Sequence, residues 1–194
     1  MSTFQMYLQL GIEHITDLKG YDHLLFLITL IAVYQLKHWK KILILVTAFT
    51  IGHTISLVVA SFDLVSIPRQ WVEFLIAVTI LLTALANIFL AKADSSRGHH
   101  LYKYAMGLGF GLIHGLGFST YLKSLILGEA SIAGPLLSFN LGIEAGQLII
   151  VAGFLLMGIL AMSVFKARPR DWNLVFSGAG MGVAIILIIE RFPV

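Results

Sequence analysis

At 194 residues, 58% of them hydrophobic and only 12% charged, with mean hydropathy +0.92, the chain carries more apolar surface than a soluble domain of its length can bury, and it reads as an integral membrane protein. The net charge of +3 is small and no arginine-rich run or nucleic-acid motif occurs, so nucleic acid is set aside as a partner and membrane lipid takes its place. Cysteine is absent, which removes disulfides, thiolate metal sites and a cysteine nucleophile.

The N-terminal MSTFQMYLQL lacks the basic segment of a cleavable signal peptide and is read as part of the mature protein. Residues 4–16 are expected to form a short helix at the membrane interface. Six continuous apolar stretches follow, at about 20–36, 42–62, 71–91, 102–121, 134–165 and 173–190. Each approaches the roughly 20 residues that cross a ~30 Å hydrocarbon core, and continuous rather than alternating runs mean helices rather than a barrel. The expected fold is therefore all-α, a polytopic bundle of six transmembrane helices forming one integral membrane domain over residues 1–194.

Basic residues set the expected orientation. Lys37, Lys40 and Lys41 follow the first stretch, Lys92, Arg97 and Lys103 the third, and Lys166, Arg168 and Arg170 the fifth. The opposite loops hold only Lys19, Arg69, Lys123 and Arg191, so the positive-inside rule puts both termini outside. Trp39, Trp71 and Trp172 fall at span ends, as interfacial indoles do. Glycines at four-residue spacing (Gly107, Gly111 and Gly115; Gly142 and Gly146; Gly178 and Gly182) predict close helix packing and carry no chemistry of their own.

Ionisable and amide groups stand out against this apolar background. GIEHITDLKGYDHLLFL places Glu13, His14, Asp22 and His23 at the threshold of the first span, and His53, His114, Asn140 and Glu144 lie inside later ones. Such groups in hydrocarbon are expensive and need partners or a function. At a rise of 1.5 Å per residue His53 lies ~18 Å and His114 ~16 Å beyond the preceding lysines, and Glu144 lies ~14 Å below the opposite surface. All three are thus expected near one depth, below an acidic, histidine-bearing vestibule. Neutral imidazole and carboxylate donors suit a divalent transition metal such as Ni, Co or Zn. Asn140, Gln147, Thr50 and Thr54 are candidates to orient the ligands. Each residue also has a plainer reading. A lone His53 or His114 can simply bond a neighbouring helix, Glu144 can pair with a histidine for structure, and Asp22 can cap the first span. His38, His99 and His100 fall in or beside inner loops, where a solvated role outweighs a metal hand-off.

At these residues the chain resembles the HupE/UreJ family of membrane proteins. The resemblance rests on GIEHITDLKGYDHLLFL, FTIGHTISL at 49–57, FGLIHGLGF at 110–118 and FNLGIEAGQL at 139–148, and covers nearly the whole chain. It implies nickel or cobalt permeation across the bacterial inner membrane, with metal-site positions at His14, Asp22, His23, His53, His114 and Glu144. The long histidine-rich loop of a metal-gathering protein is missing here.

Two classes of function stay open. In the first, a permease, the cation enters at the vestibule and exchanges water for His53, His114 and Glu144. In the second, an intramembrane zinc hydrolase acting on a lipid or peptide, Glu144 is the general base to a metal-bound water. A third reading is a metal-sensing or assembly subunit.

Overall fold

The computed structural model describes residues 2–90, 97–126 and 131–193; the side chains of Lys19 and of residues 97–100 fall outside that description. Lys92, the Arg97 side chain and the His99–His100 hand-off therefore lie beyond the described residues. Within them the chain is helical: α1 (Thr3–Thr16), α2 (Tyr21–Ile31), α3 (Trp39–Ser61), α4 (Arg69–Leu90), α5 (Arg97–Ile126), α6 (Ala133–Ser163) and α7 (Pro169–Glu190), with 3-10 turns at Leu18–Gly20 and Leu36–His38.

Local sequence explains several boundaries. Ser2 accepts from the Gln5 amide and Gln5 answers through its own side chain, a reciprocal capping box that starts α1. Gly20 starts α2 with no side-chain cap, so Asp22 is a first-turn acid of that helix and not its cap. Pro169 begins α7, where its missing N–H goes unneeded.

Among the described residues, four helices are long and apolar enough to cross a membrane: the turn-extended α3 (Leu36–Ser61), α4, α6 and α7. The first expected span contains the 11-residue α2, ~16 Å long by its rise, too short to cross alone. The fourth expected span lies within the 30-residue α5, whose glycines, histidine and lysines dilute its hydropathy. The N-terminal helix does form, but it is docked along α6 rather than lying apart.

Glycine sets the two closest helix pairs. Between α3 and α5, a methyl at Gly52 would overlap the Leu108 carbonyl, and one at Gly111 the Phe49 carbonyl. Between α1 and α6, a methyl at Gly142 would overlap the Leu8 carbonyl, and one at Gly11 the Phe139 carbonyl. Backbones that close leave no room for any side chain, the small-residue packing expected of membrane helices. The α7 expectation needs correction. Among the described residues, a methyl at Gly178 or Gly182 would meet nothing within 4 Å, whereas Gly180 is the glycine pressed against Thr29 of α2.

A buried polar pin joins α2, α4 and α7. Asn87 Nδ2 donates to the Thr29 carbonyl at 2.6 Å and to Ser177 Oγ at 3.2 Å. Asn173 Nδ2 donates to the Asn87 carbonyl at 3.0 Å, and Ser177 Oγ to Asn173 Oδ1 at 2.9 Å. Through these bonds the network fixes α7 against the short α2.

Candidate functional site: a buried histidine cluster

The glycine seams carry the histidines to one another. On α1, the buried face Tyr7, Gly11 and Ile15 seats the helix on α6 and turns the adjacent His14 inward. On α5, Gly111 and Gly115 press against the backbone of His53, and His114 lies between them. His23 enters from the first turn of α2. Ring centres are 4.8 Å apart for His14–His23, 6.1 Å for His14–His53 and 5.1 Å for His23–His114. Four helices thus place four imidazoles in one continuous chain of contacts. His53 and His114 are fully buried, and His14 and His23 are half-buried.

The hydrogen bonding of this cluster is incomplete. Among the described residues, His14 Nε2, His23 Nε2, both nitrogens of His53 and His114 Nδ1 are buried without a hydrogen-bond partner, whereas His114 Nε2 lies 3.3 Å from Thr79 Oγ1 of α4. Leaving a buried donor or acceptor unpaired costs about 1–3 kcal/mol, so five such nitrogens together call for a shared partner. Spacing points the same way. With a metal–nitrogen distance of about 2.1 Å, two imidazoles on one tetrahedral ion have centres roughly 5 Å apart. The observed separations bracket that value, although among the described residues no three His, Asp or Glu side chains are arranged to hold a metal ion as the rings now stand.

The acids take different places. Asp22 is buried beside the cluster, with Oδ1 3.0 Å from His23 Nδ1 and Oδ2 accepting from Arg191 Nη1 at 3.0 Å. Glu144 is half-buried and accepts from Thr47 Oγ1 at 2.6 Å. Thr47 precedes His53 by six residues, ~9 Å along α3. Of the candidate orienting residues, Thr50 donates to Gln147 Oε1 at 2.9 Å, and Thr54 returns its hydroxyl to the Thr50 carbonyl of its own helix. Asn140 Nδ2 donates to the Leu136 carbonyl of its own helix at 2.7 Å, and among the described residues its buried Oδ1 has no hydrogen-bond partner.

Above the cluster opens a cavity of about 850 Å³ whose lining includes Glu13, His14, Asp17, Arg69, Phe118 and Tyr121. Glu13 is exposed there and accepts from Gln9 at 2.7 Å. His14 belongs to both the cavity and the cluster, and Phe118 and Phe139, stacked at 4.9 Å, flank it. On the far side Phe26 and Phe49 close against His114 at 4.8 and 5.2 Å, with Phe110 behind Phe26. The histidines are therefore layered between two aromatic seals.

Arg191, Thr79, Thr47 and the two phenylalanine layers were not singled out by sequence reasoning. Arg191 counted there only as one of the few basic residues on its face; a lone arginine ending an apolar helix was the available signal.

Comparison with curated proteins and with solved structures found no match. The family described as HupE / UreJ protein matches residues 1–191, a span that includes all four histidines, Asp22 and Arg191. The chain is a membrane protein of the HupE/UreJ family.

Proposed function

We propose that this protein is a permease for a divalent transition metal, nickel or cobalt, and that His14, His23, His53 and His114 form its intramembrane binding station. One observation carries the reading: imidazoles from four helices meet with five buried ring nitrogens unpaired. Neutral imidazoles are the donors that borderline cations of this group prefer, and rings 4.8–6.1 Å apart would have to turn to share one ion. The cation is cargo. It enters from the cavity past Glu13 and His14, loses water to the four rings, and leaves after the far aromatic layer rearranges.

The reading includes orientation. With the six crossings expected from the sequence, the basic loops holding Lys37, Lys40, Lys41, Arg168 and Arg170 would lie in the cytoplasm, and the cavity would open outward from a bacterial inner membrane. Hydrolysis would require Glu144 within reach of a metal-bound water. Its hydrogen bond to Thr47 favours transport instead.

Proteoliposomes with an internal metal-sensitive dye test this directly. Wild-type protein is expected to admit Ni²⁺ or Co²⁺, and His53→Ala and His114→Ala to abolish the flux. Flux from either variant equal to wild type overturns the assignment.

A further inference from the structure

We propose that Arg191 is a positioning residue for the metal station, acting through Asp22 to fix the ring of His23. The inference rests on the permease reading above and adds to it a residue from the opposite end of the chain.

The geometry is a three-member relay. Arg191, the residue that ends α7, reaches across to α2, where its Nη1 donates to Asp22 Oδ2 at 3.0 Å. Asp22 Oδ1 then faces His23 Nδ1 at 3.0 Å and also accepts the His23 backbone N–H at 2.9 Å. All three side chains are largely withdrawn from solvent, with exposures of 23%, 12% and 11% for Arg191, Asp22 and His23. His23 Nε2, on the other side of the ring, is buried and unpaired within the cluster.

Each link has a definite consequence. A carboxylate at Nδ1 holds the proton on that nitrogen, leaving Nε2 as the lone-pair donor. Metal-ligating histidines are commonly oriented this way, and removing the outer partner weakens metal binding by about 10–100-fold. Both Asp22 oxygens are engaged, so its role here is to aim His23 rather than to ligate. Arg191 supplies the second anchor. With Oδ2 held by the guanidinium, the carboxylate cannot turn its Oδ1 away from Nδ1. Because α7 is pinned to α2 by Asn87, Asn173 and Ser177, Arg191 delivers its charge from a fixed support.

The test uses purified full-length protein in detergent micelles, titrated with Co²⁺ and followed by visible absorption, with thermal unfolding in parallel. Arg191→Met is expected to weaken Co²⁺ binding at least tenfold and to change the intensity of the cobalt bands. Arg191→Lys restores one charged hydrogen bond to Oδ2 and is expected to bind within about threefold of wild type. Wild-type affinity and spectrum in Arg191→Met overturn the relay. So does an Arg191→Lys variant as weak as Arg191→Met, which would mark the arginine as merely structural. Wild-type protein that binds no Co²⁺, or binding that survives both His53→Ala and His114→Ala, brings down the permease station and the relay together. Strong wild-type binding with an unaffected Arg191→Met removes the relay alone.

Discussion

Thr47 donates to Glu144 Oε1 at 2.6 Å, and this bond sets the acid of α6 against a part of α3 about one and two-thirds turns before His53. Under the permease reading Glu144 would act on a bound cation through space. Its Coulomb attraction at such a distance is a few kcal/mol at an effective dielectric of about 20. Glu144→Gln keeps an acceptor for Thr47 and removes the charge. The expected outcome is weaker Co²⁺ binding with unchanged positions and intensities of the cobalt bands, whereas His53→Ala alters the bands themselves. A changed spectrum in Glu144→Gln would show that the carboxylate ligates directly.

The helix seams give a contrast within one residue type. Gly111→Ala sets a methyl against the Phe49 carbonyl and Gly142→Ala against the Leu8 carbonyl, and a backbone cannot swing aside as a side chain can. Overpacking of this kind costs about 1–3 kcal/mol. Gly178→Ala meets nothing within 4 Å and is expected to leave the unfolding midpoint unchanged. Thermal unfolding in detergent checks all three, and an equal loss in Gly178→Ala would mean that the seams are elsewhere.

These seams also show how far the sequence could be read. Continuous apolar runs announce membrane helices because burial in lipid makes no demand on periodicity, and the histidines stood out because hydrocarbon tolerates few ionisable groups. His14, His23, His53 and His114 do meet, although they lie on four helices. Which glycine touches which carbonyl is another matter. It depends on the rotation and register of one helix against another, and the four-residue spacing that marked Gly111 and Gly142 correctly also marked Gly178 and Gly182, while Gly180 of α7 does the packing. The same limit hid Arg191, whose partner is 169 positions away. Counting residues along separate helices sets Glu144 level with His53, and in the structure Glu144 bonds Thr47 while Gln147 accepts from Thr50, both on the helix that carries His53.

Phe118 lies between cavity and cluster. Its ring centre lies 4.0 Å from His14 and 4.9 Å from Phe139, the two phenylalanine planes within 4° of parallel. Phe118 is half-buried and lines the cavity, whereas Phe139 is fully enclosed, so Phe118 is the member able to swing out. An aromatic pair of this kind contributes about 0.5–1.5 kcal/mol beyond its buried area. Removing it with Phe118→Ala raises the fraction of time the seal stands open by about two- to tenfold, at 1.4 kcal/mol per factor of ten. The ring offers no donor to the metal. Association and dissociation should therefore accelerate together and leave affinity within about threefold of wild type. Stopped-flow mixing with Co²⁺ measures both rates, and Phe118→Leu, which keeps most of the volume without the stack, is expected to fall between. An unchanged association rate in Phe118→Ala would place the entrance to the histidines somewhere other than this cavity.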